Sequence, residues 1–276
     1  MLSKFYVEDH VKSALMEDIG YGDITTENLA GENDFLKAEL NTRSEGVLCG
    51  CDVFKTVYKV LSDDVKIKFY FKDGDKIKKG DKIADLEGPA KDLLMGERVS
   101  LNYIQRMSGI ATETRKYQDA IAPHHAKIVD TRKTTPNFRA FEKYSVKVGG
   151  GALHRFNLSD CAMIKDNHIR LAGSLTNAVN KLRQSISHAH KIEVECDTIE
   201  QVKEAIDVKA DIIMLDNMPV ETMKKAVELI SHQAIVEASG NVNLSTVNAI
   251  AATGVDIISS SAIVAKAPTL DLALDM

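Results

Sequence analysis

The second half of the chain alternates short apolar segments with amphipathic helical segments, and this rhythm constrains the fold more than any other feature. The apolar segments lack polar/apolar alternation, as is typical of strands that are buried on both faces. The last four begin 20, 23 and 22 residues apart, the usual length of a strand, a helix and their loops. The strand candidates are KIVD (127–130), CAMI (161–164), KIEVE (191–195), DIIML (211–215), AIVEA (234–238) and DIIS (256–259). The pattern predicts a parallel sheet with helices outside it.

Helical segments separate these strands. They are predicted over 138–148, 175–186, 199–208, 220–230 and 244–252. Six strands are fewer than the eight of a closed α/β barrel. An open or incomplete barrel and a doubly wound sheet both agree with the pattern.

The first half has a different rhythm. A helix is predicted over 7–16, where apolar residues recur three and four positions apart. Residues 36–88 look strand-like, and the letters GDKI at 74–77 recur at 80–83, which indicates repeated Gly-Asp turns in a compact β unit. A further helix is predicted over 93–107. Cys49 and Cys51 are expected on one face of a strand, with no nearby pair to complete a zinc site.

Composition excludes several classes of protein. Hydrophobic residues make up 44% of the 276 residues and charged residues 27%, the balance of a folded chain. The formal net charge of −5 argues against a general nucleic-acid binder. No apolar run approaches the roughly 18 residues that span a bilayer, and no export signal is evident, so we expect a cytoplasmic protein with reduced cysteines.

The residues that follow the strands carry most of the chemical information. The carboxyl ends of parallel strands meet at one rim, where active sites form. After the six strands come, in order, Asp130-Thr131-Arg132-Lys133, Lys165-Asp166-Asn167-His168, Glu195-Cys196-Asp197, Asp216-Asn217, Glu237-Ala238-Ser239-Gly240 and Ser259-Ser260-Ser261. Cations, carboxylates and small turn residues are therefore predicted to form one ring.

This ring is suited to an anionic substrate. Four cations that can hold carboxylates or phosphates are Arg132, Lys133, Arg155 and Lys165. Glu195 and Asp216 are oxygen ligands of the kind that bind Mg²⁺ together with substrate phosphates. Ser239-Gly240 and the run Ser259–Ser261 offer backbone N–H groups to a phosphate.

The triplet Gly149-Gly150-Gly151 allows two interpretations, a phosphate cradle or a simple helix C-cap. The phosphate-loop and dinucleotide-binding glycine motifs are both absent, so ATP hydrolysis and dinucleotide binding lose their usual support. The residues by themselves thus predict an enzyme that acts, with Mg²⁺, on a multiply anionic and phosphorylated small molecule.

Several motifs together resemble the quinolinate phosphoribosyltransferase family, also called nicotinate-nucleotide pyrophosphorylase (carboxylating). The similarity covers about 14–260, nearly the whole chain. The motifs are Glu17-Asp18-Ile19-Gly20-Tyr21-Gly22-Asp23-Ile24-Thr25, Glu97-Arg98 with Leu101-Asn102, Gln105–Thr112, Asp130–Pro136, Gly149–Gly151, His154-Arg155, Ile164–Ile169, Glu195, Leu215–Met218 and Glu237–Gly240.

The resemblance implies an N-terminal α/β sandwich domain followed by an open, incomplete α/β barrel. The expected domains are 1–110 for the sandwich, with 268–276 packed on it, and 111–267 for the barrel. It also implies a homo-oligomer, at least a dimer, in which Arg98 of one subunit enters the site of the other.

The implied reaction transfers the phosphoribosyl group of 5-phosphoribosyl 1-diphosphate (PRPP) to quinolinate. The products are nicotinate mononucleotide, diphosphate and CO₂, in a step of NAD biosynthesis with Mg²⁺. By position, the quinolinate carboxylates would be held by Arg132, Lys133, His154, Arg155 and Lys165. Glu195 and Asp216 would hold Mg²⁺ and the ribose hydroxyls, and Ser239, Gly240, Ser259 and Ser261 would meet phosphate. The residues expected to be catalytic are Lys133, Lys165, Glu195 and Asp216.

The chain departs from the family pattern at three places. Leu153 replaces a residue that is often Asn, and Asn137 replaces one that is often Gly. Near the end, 261–265 lacks the Gly and His of the usual turn, so serines would have to anchor the phosphate there.

Four other interpretations remain open. A desolvated Lys133 or Lys165 would suit a Schiff-base lyase, which borohydride trapping on Lys165 would reveal. The stretch 73–88 looks like part of a lipoyl-carrier fold, although its lysines lack the usual neighbours. The molybdate-associated branch of the family is disfavoured by the intact segment 164–169. His168 is either catalytic or a simple cap of the following turn.

Overall fold

The computed structural model describes residues 2–276 and divides into two units. The first comprises 2–115, 136–150 and 267–276, and the second comprises 116–135 and 151–266. The helices are α1 (Lys4–Ile19), α2 (Ile24–Leu29), α3 (Cys51–Leu61), α4 (Ala90–Ala120), α5 (Arg139–Val148), α6 (Asp166–Ala172), α7 (Leu175–Ser185), α8 (Ile199–Asp207), α9 (Val220–Ile230), α10 (Val247–Ala251) and α11 (Ala262–Ala265). The strands are β1 (Phe35–Thr42), β2 (Gly46–Val47), β3 (Lys66–Phe69), β4 (Lys76–Ile77), β5 (Lys82–Pro89), β6 (Lys127–Val129), β7 (Ala162–Ile164), β8 (Ile192–Cys196), β9 (Ile212–Asp216), β10 (Ile235–Ser239), β11 (Ile257–Ser259) and β12 (Leu272–Asp275).

The first unit is built on an antiparallel sheet with the strand order β12-β1-β5-β3. One face of this sheet packs against helices, because Leu40 and Leu86 share a buried cluster with Phe54 of α3 and Ile104 of α4. A second buried cluster joins α1 and α3 to Phe141 of α5. This arrangement confirms the expected α/β sandwich.

The repeated GDKI letters form two turns of the same kind. The backbone N–H of Lys72 donates to Asp75 Oδ2 at 2.9 Å, and the N–H of Lys78 donates to Asp81 Oδ2 at 2.8 Å. Gly74 and Gly80 have φ values of +95° and +91°, which glycine adopts readily. The sequence prediction of repeated Gly-Asp turns is confirmed.

The expectation for the cysteine pair was wrong. Gly50 has a φ of +106° and stands directly before α3, so Cys51 begins a helix instead of continuing a strand. Asp73 fixes this start, since its Oδ1 accepts the N–H groups of Gly50 and Cys51 at 3.0 and 2.9 Å. The sequence interpretation missed α3 because its tertiary partner, Asp73, lies far along the chain.

The second unit contains a six-stranded parallel sheet in the order β6-β11-β10-β9-β8-β7. All six strands predicted from sequence are present. Strands β7 to β11 are neighbours in chain order, without the reversal that marks a doubly wound sheet. Within residues 2–276, β6 and β7 are the two end strands of this sheet and do not pair with each other, so the barrel is incomplete. The expected open α/β barrel is confirmed.

The helices of the second unit cover this sheet with small apolar faces. Buried residues of α8 and α9 include Val202, Ala205, Met223 and Ala226. The predicted helix 220–230 has the bounds of α9, whereas the helix predicted over 244–252 is shorter, as α10. The helix predicted over 93–107 is part of the 31-residue α4. Within residues 2–276, no helix is both long and apolar enough to cross a membrane.

The two units are less contiguous than the expected domains 1–110 and 111–267. Residues 136–150, which contain α5, belong to the first unit. The reason is the apolar face of α5, since Phe141 is fully buried in the cluster with α1 and α3. Residues 267–276 also belong to the first unit, where β12 pairs with β1.

Candidate active site

A cavity of about 690 Å³ opens at the carboxyl ends of the parallel strands. Every predicted site residue of the second unit lines it: Arg132, Lys133, His154, Arg155, Lys165, Glu195, Asp216, Ser239, Gly240, Ser259 and Ser261. Further lining residues are Thr131, Met163, Met214, Asn217, Glu237, Asn241, Val242, Ser260, Ala262 and Lys266. The ring predicted from the strand ends therefore exists.

The loop after β6 brings two cations to the cavity. Thr131 Oγ1 accepts the N–H of Lys133 at 3.0 Å, and the carbonyl of Arg132 accepts the N–H of Thr134 at 3.0 Å. These local bonds shape a tight turn from which Arg132 and Lys133 reach the cavity. The guanidinium of Arg155 is held separately, because it donates to the carbonyl of Cys161 at 2.8 Å.

Lys165 and Glu195 form an ion pair inside the cavity, between the ends of β7 and β8. The Lys165 side chain is 43% exposed and that of Glu195 is 16% exposed. A Schiff-base lysine must be desolvated so that it loses its proton. Lys165 is paired with a carboxylate and partly exposed, so it is not a desolvated lysine and the structure gives no support to a Schiff-base lyase.

Asp216 ends β9 on the same rim. Its Oδ2 accepts a hydrogen bond from Nδ2 of Asn217 at 2.6 Å. Asn217 in turn bonds to the next strand, since its N–H donates to the carbonyl of Ser239 at 2.9 Å. The orientation of Asp216 is thus linked to the turn after β10.

The turn after β10 has a conformation that requires glycine. Gly240 has a φ of +91°, and a β-carbon there would lie 2.9 Å from the backbone nitrogen of Asn217. Glycine is needed here because Asn217 fills the space that a β-carbon would occupy and because the backbone has a positive φ. Ser259 to Ser261 follow β11 on the neighbouring side of the cavity.

Three residues with a proposed or possible role lie elsewhere. Arg98 is exposed on α4 in the first unit and does not line the cavity of the described chain. His168 is exposed, and its Nδ1 accepts the N–H of Lys165 at 3.0 Å, so it caps the turn that begins α6. Gly149 ends α5, where a β-carbon would lie 2.7 Å from Cβ of Thr114. The glycine triplet is a tightly packed helix end and, within residues 2–276, is not part of the cavity wall.

The chain matches two family descriptions that together span most of its length. Residues 23–108 match the quinolinate phosphoribosyl transferase N-terminal domain, and residues 110–275 match the C-terminal domain of the same family. The chain belongs to the quinolinate phosphoribosyltransferase family.

Relatives in this family resemble the chain along its whole length. It is 45% identical over 261 residues to a probable nicotinate-nucleotide pyrophosphorylase (carboxylating) of Bacillus subtilis, covering 95% of this chain and 90% of the relative. It is 39% identical to a mitochondrial quinolinate phosphoribosyltransferase (decarboxylating) of Nicotiana tabacum, covering 97% and 81%. The crystal structure of NadC from Streptococcus pyogenes superposes with a TM-score of 0.97 at 38% identity, covering 100% and 98%.

The structure shows what two of the departures from the quinolinate phosphoribosyltransferase pattern do. Asn137 has a φ of +61°, a left-handed conformation that Asn tolerates better than most residues, so the replacement of Gly is accommodated. Leu153 is 46% exposed and lines a second, smaller cavity of about 240 Å³ instead of the main one.

Sequence reasoning missed Lys266 and Glu193, and it placed Glu237 at the end of the fifth strand without giving it a role. Lys266 follows the atypical segment 261–265 and adds a cation to the cavity wall. Glu193 and Glu237 are 1% exposed in the middle of β8 and β10. A carboxylate inside an otherwise apolar buried strand was an available signal, because ionised side chains are rarely buried without a partner.

Proposed function

We propose that this chain is an enzyme that transfers the phosphoribosyl group of PRPP to quinolinate with loss of CO₂, a pentosyltransferase of NAD biosynthesis. The products are nicotinate mononucleotide, diphosphate and CO₂. The observation that carries the proposal is the cavity of a quinolinate phosphoribosyltransferase chain in which Arg132, Lys133, His154, Arg155 and Lys165 all meet.

Quinolinate binding follows from these charges. A pyridine with two carboxylates needs several cations to replace its water shell, and arginine binds carboxylates with two parallel hydrogen bonds. Arg132 and Arg155 supply such groups. Hydrogen bonds hold the main chain of Arg132 and the guanidinium of Arg155. The cations therefore hold the ring in one orientation, with its nitrogen available to the sugar.

Phosphoribosyl transfer needs acids on the other side of the cavity. The pyridine nitrogen forms a bond to C1 of the ribose while the bond to diphosphate breaks, and positive charge develops on the sugar. Glu195 and Asp216 line the cavity and stabilise this charge, since fixed carboxylates favour the transition state electrostatically. Ser239, Gly240, Ser259 and Ser261 bind the phosphate end of the sugar.

Decarboxylation follows transfer. When the bond between C2 and its carboxylate breaks, the electron pair stays on C2 beside the ring nitrogen. This pair is stabilised only after the nitrogen has become cationic through its bond to ribose. C2 then takes up a proton, and the product retains the second carboxylate.

The donor set of Glu195 and Asp216 fits Mg²⁺. Two carboxylates at the rim, with the remaining positions left to phosphate and water, are the arrangement that Mg²⁺ prefers in nucleotide and diphosphate sites. When bound, Mg²⁺ would neutralise the leaving diphosphate. Glu195 would exchange part of its contact with Lys165 for the metal.

We further propose a homo-oligomer, at least a dimer, in which Arg98 enters the site of a neighbouring subunit. Arg98 is exposed, as a residue that serves another subunit must be. A cytoplasmic location is supported by four free cysteines, which suit a reducing compartment.

The direct test measures nicotinate mononucleotide formed from quinolinate, PRPP and Mg²⁺, with nicotinic acid as the comparison substrate. We expect turnover of quinolinate and release of one CO₂ for each diphosphate. Turnover of nicotinic acid alone would assign the chain a different pyridine substrate. Borohydride treatment during turnover should leave no adduct on Lys165, whereas a Schiff-base lyase would be trapped there.

A further inference from the structure

A histidine in the cavity wall lies between two buried carboxylates. Nε2 of His154 is 3.4 Å from a carboxylate oxygen of Glu193 and 3.4 Å from Oε2 of Glu237. The histidine side chain is 11% exposed and the two glutamates are 1% exposed. The three side chains come from three separate places, the loop between α5 and β7, strand β8 and strand β10.

The backbone of His154 is fixed independently. Its N–H donates to Oδ1 of Asp130 at 2.9 Å, and Asp130 is fully buried. This charge-assisted hydrogen bond fixes the main chain from which the ring projects toward the two glutamates. This makes the contact a defined feature of the barrel and not a surface ion pair.

The two glutamates differ in which cavity they line. His154 and Glu237 line both the 690 Å³ cavity and the smaller one of about 240 Å³. Glu193 lines only the smaller cavity. Within residues 2–276, Glu193 thus contacts His154 without facing the larger cavity, and it has no direct route to a substrate there.

The two buried carboxylates and the histidine between them compensate one another's charge. A buried carboxylate is unfavourable unless it is paired. Oε1 of Glu237 has no hydrogen-bond partner within residues 2–276. Burial alone would lower the pKa of His154, but hydrogen bonds and charges from Glu193 and Glu237 outweigh it and raise the pKa to about 10. Burial also raises the pKa of Glu193.

We propose that Glu193 and Glu237 are positioning residues that hold His154 as an imidazolium at the cavity wall, so that a substrate carboxylate meets a fixed cation. That the carboxylate belongs to quinolinate rests on the proposed function. The protonated state of His154 does not, and it can be tested without substrate.

Other titratable groups surround the ring and belong in the interpretation of any pH profile. They are Asp130 after β6, Arg155 beside the histidine, Cys161, Asp160 and Lys191 around the smaller cavity, and Arg132, Lys133, Lys165, Glu195, Asp216 and Lys266 around the larger one. None of these is changed in the variants below.

The first measurement is the titration of the His154 ring by nitrogen-15 NMR in the full chain without substrates, assigned with H154Q. The variants are E193Q, E237Q and the double variant, and E200Q, on the exposed surface of α8, is the matched control. We expect the wild type and E200Q to stay protonated through about pH 9. The pKa should fall in each single variant and reach about 6.5 or lower in the double variant, the ordinary histidine value.

The second measurement is the Michaelis constant of each substrate. At about pH 8 the double variant should bind quinolinate about tenfold or more weakly, the usual effect of losing a charge-assisted contact, while the KM for PRPP changes less than about twofold. At about pH 6 the quinolinate KM should return toward the wild-type value, because the ring regains its proton and carboxylates remain ionised.

Three results would overturn the proposal. One is a wild-type His154 that titrates near about 6.5. Another is a set of variants that lose thermal stability but keep the wild-type titration. A third is stoichiometric Zn²⁺ binding that displaces the ring proton and disappears in E193Q, since the three ligand atoms lie within 4.8 Å of one another and would then form a metal site. The single variants carry the test should the double variant not fold. If the wild type shows the expected titration but does not turn over quinolinate, the proposed function fails and this inference stands.

Discussion

A β-carbon on Gly240 would lie 2.9 Å from the backbone nitrogen of Asn217 and closer still to its Oδ1. Asn217 also donates from Nδ2 to Asp216 at 2.6 Å and accepts at Oδ1 from Asn241 at 3.0 Å. The turn that is proposed to bind phosphate and the carboxylate that is proposed to bind ribose are therefore connected through one side chain. A change at Gly240 should affect both.

Gly240→Ala should lower kcat/KM for PRPP by about a hundredfold or more, because the methyl group displaces Asn217 and the alanine strains a backbone at φ +91°. Gly74→Ala is the matched control, since Gly74 has a φ of +95° but open space around it. It should cost about 1–2 kcal/mol of stability and leave kinetics unchanged. Equal kinetic effects of the two substitutions would remove the phosphate role from Gly240.

Arg98→Ala should leave the unfolding midpoint near that of the wild type, because Arg98 is exposed, yet reduce turnover severely. Mixed oligomers of Arg98→Ala and Lys133→Ala should regain part of the wild-type activity, since some sites would receive an intact Arg98 and an intact Lys133. Activity of verified mixed oligomers that stays at the level of the two parents would contradict a shared site.

Lys266→Ala should raise the KM for PRPP by about tenfold and leave the KM for quinolinate nearly unchanged, because Lys266 lines the same cavity as the serine run that is proposed to bind phosphate and one charged contact is worth about that much. Lys266→Arg should retain most of the affinity. Lys224→Ala, at an exposed position of α9, serves as the control. A quinolinate KM that rises as much as the PRPP KM would place Lys266 at the other end of the cavity.

Glu195→Gln and Asp216→Asn should each raise the Mg²⁺ concentration needed for half-maximal activity by about tenfold or more, since each removes one carboxylate ligand. Chelation by EDTA should stop turnover, and added Mg²⁺ should restore it. Variants that lose activity without any change in the Mg²⁺ dependence would restrict both residues to the ribose.

The stability difference between the wild type and His154→Gln should depend on pH. Because the pKa of folded His154 is raised to about 10, its ion pairs stabilise the folded chain fully below about pH 6.5 and are lost as pH rises through about 10. We expect the difference in unfolding free energy, measured with urea, to shrink by up to about 5 kcal/mol over this range, since about 3.5 pKa steps separate the two values and each corresponds to about 1.4 kcal/mol. A difference that is constant with pH would mean that the histidine is neutral.

The sequence was sufficient to predict the barrel because its strands are marked locally. Each of the six segments is apolar, short and followed by chemically distinctive residues, and the two GDKI turns are fixed by aspartates within the same four residues. The carboxyl ends of parallel strands meet at one rim, whatever the conformation of the loops. The sequence therefore sufficed to predict that Lys165, Glu195 and Asp216 lie together.

The features that could not be predicted from the sequence depend on contacts between segments that lie far apart in the chain. The helix that begins at Cys51 is set by Asp73, and α5 joins the first unit through Phe141. The pairing of His154 with Glu193 and Glu237 joins residues 39 and 83 positions apart in three different elements. Periodicity within one segment carries no information about such partners.

The final strand, β12, completes the sheet of the first unit by pairing with β1, as Leu40 opposite Leu274. Since the first unit also takes in 136–150, the chain passes between the two units four times. On the ribosome the sheet of the first unit must wait for β12 to emerge, so this unit is completed only after the whole second unit has been synthesised. Removal of a few C-terminal residues should therefore expose an unpaired edge on β1 and promote aggregation of the nascent enzyme.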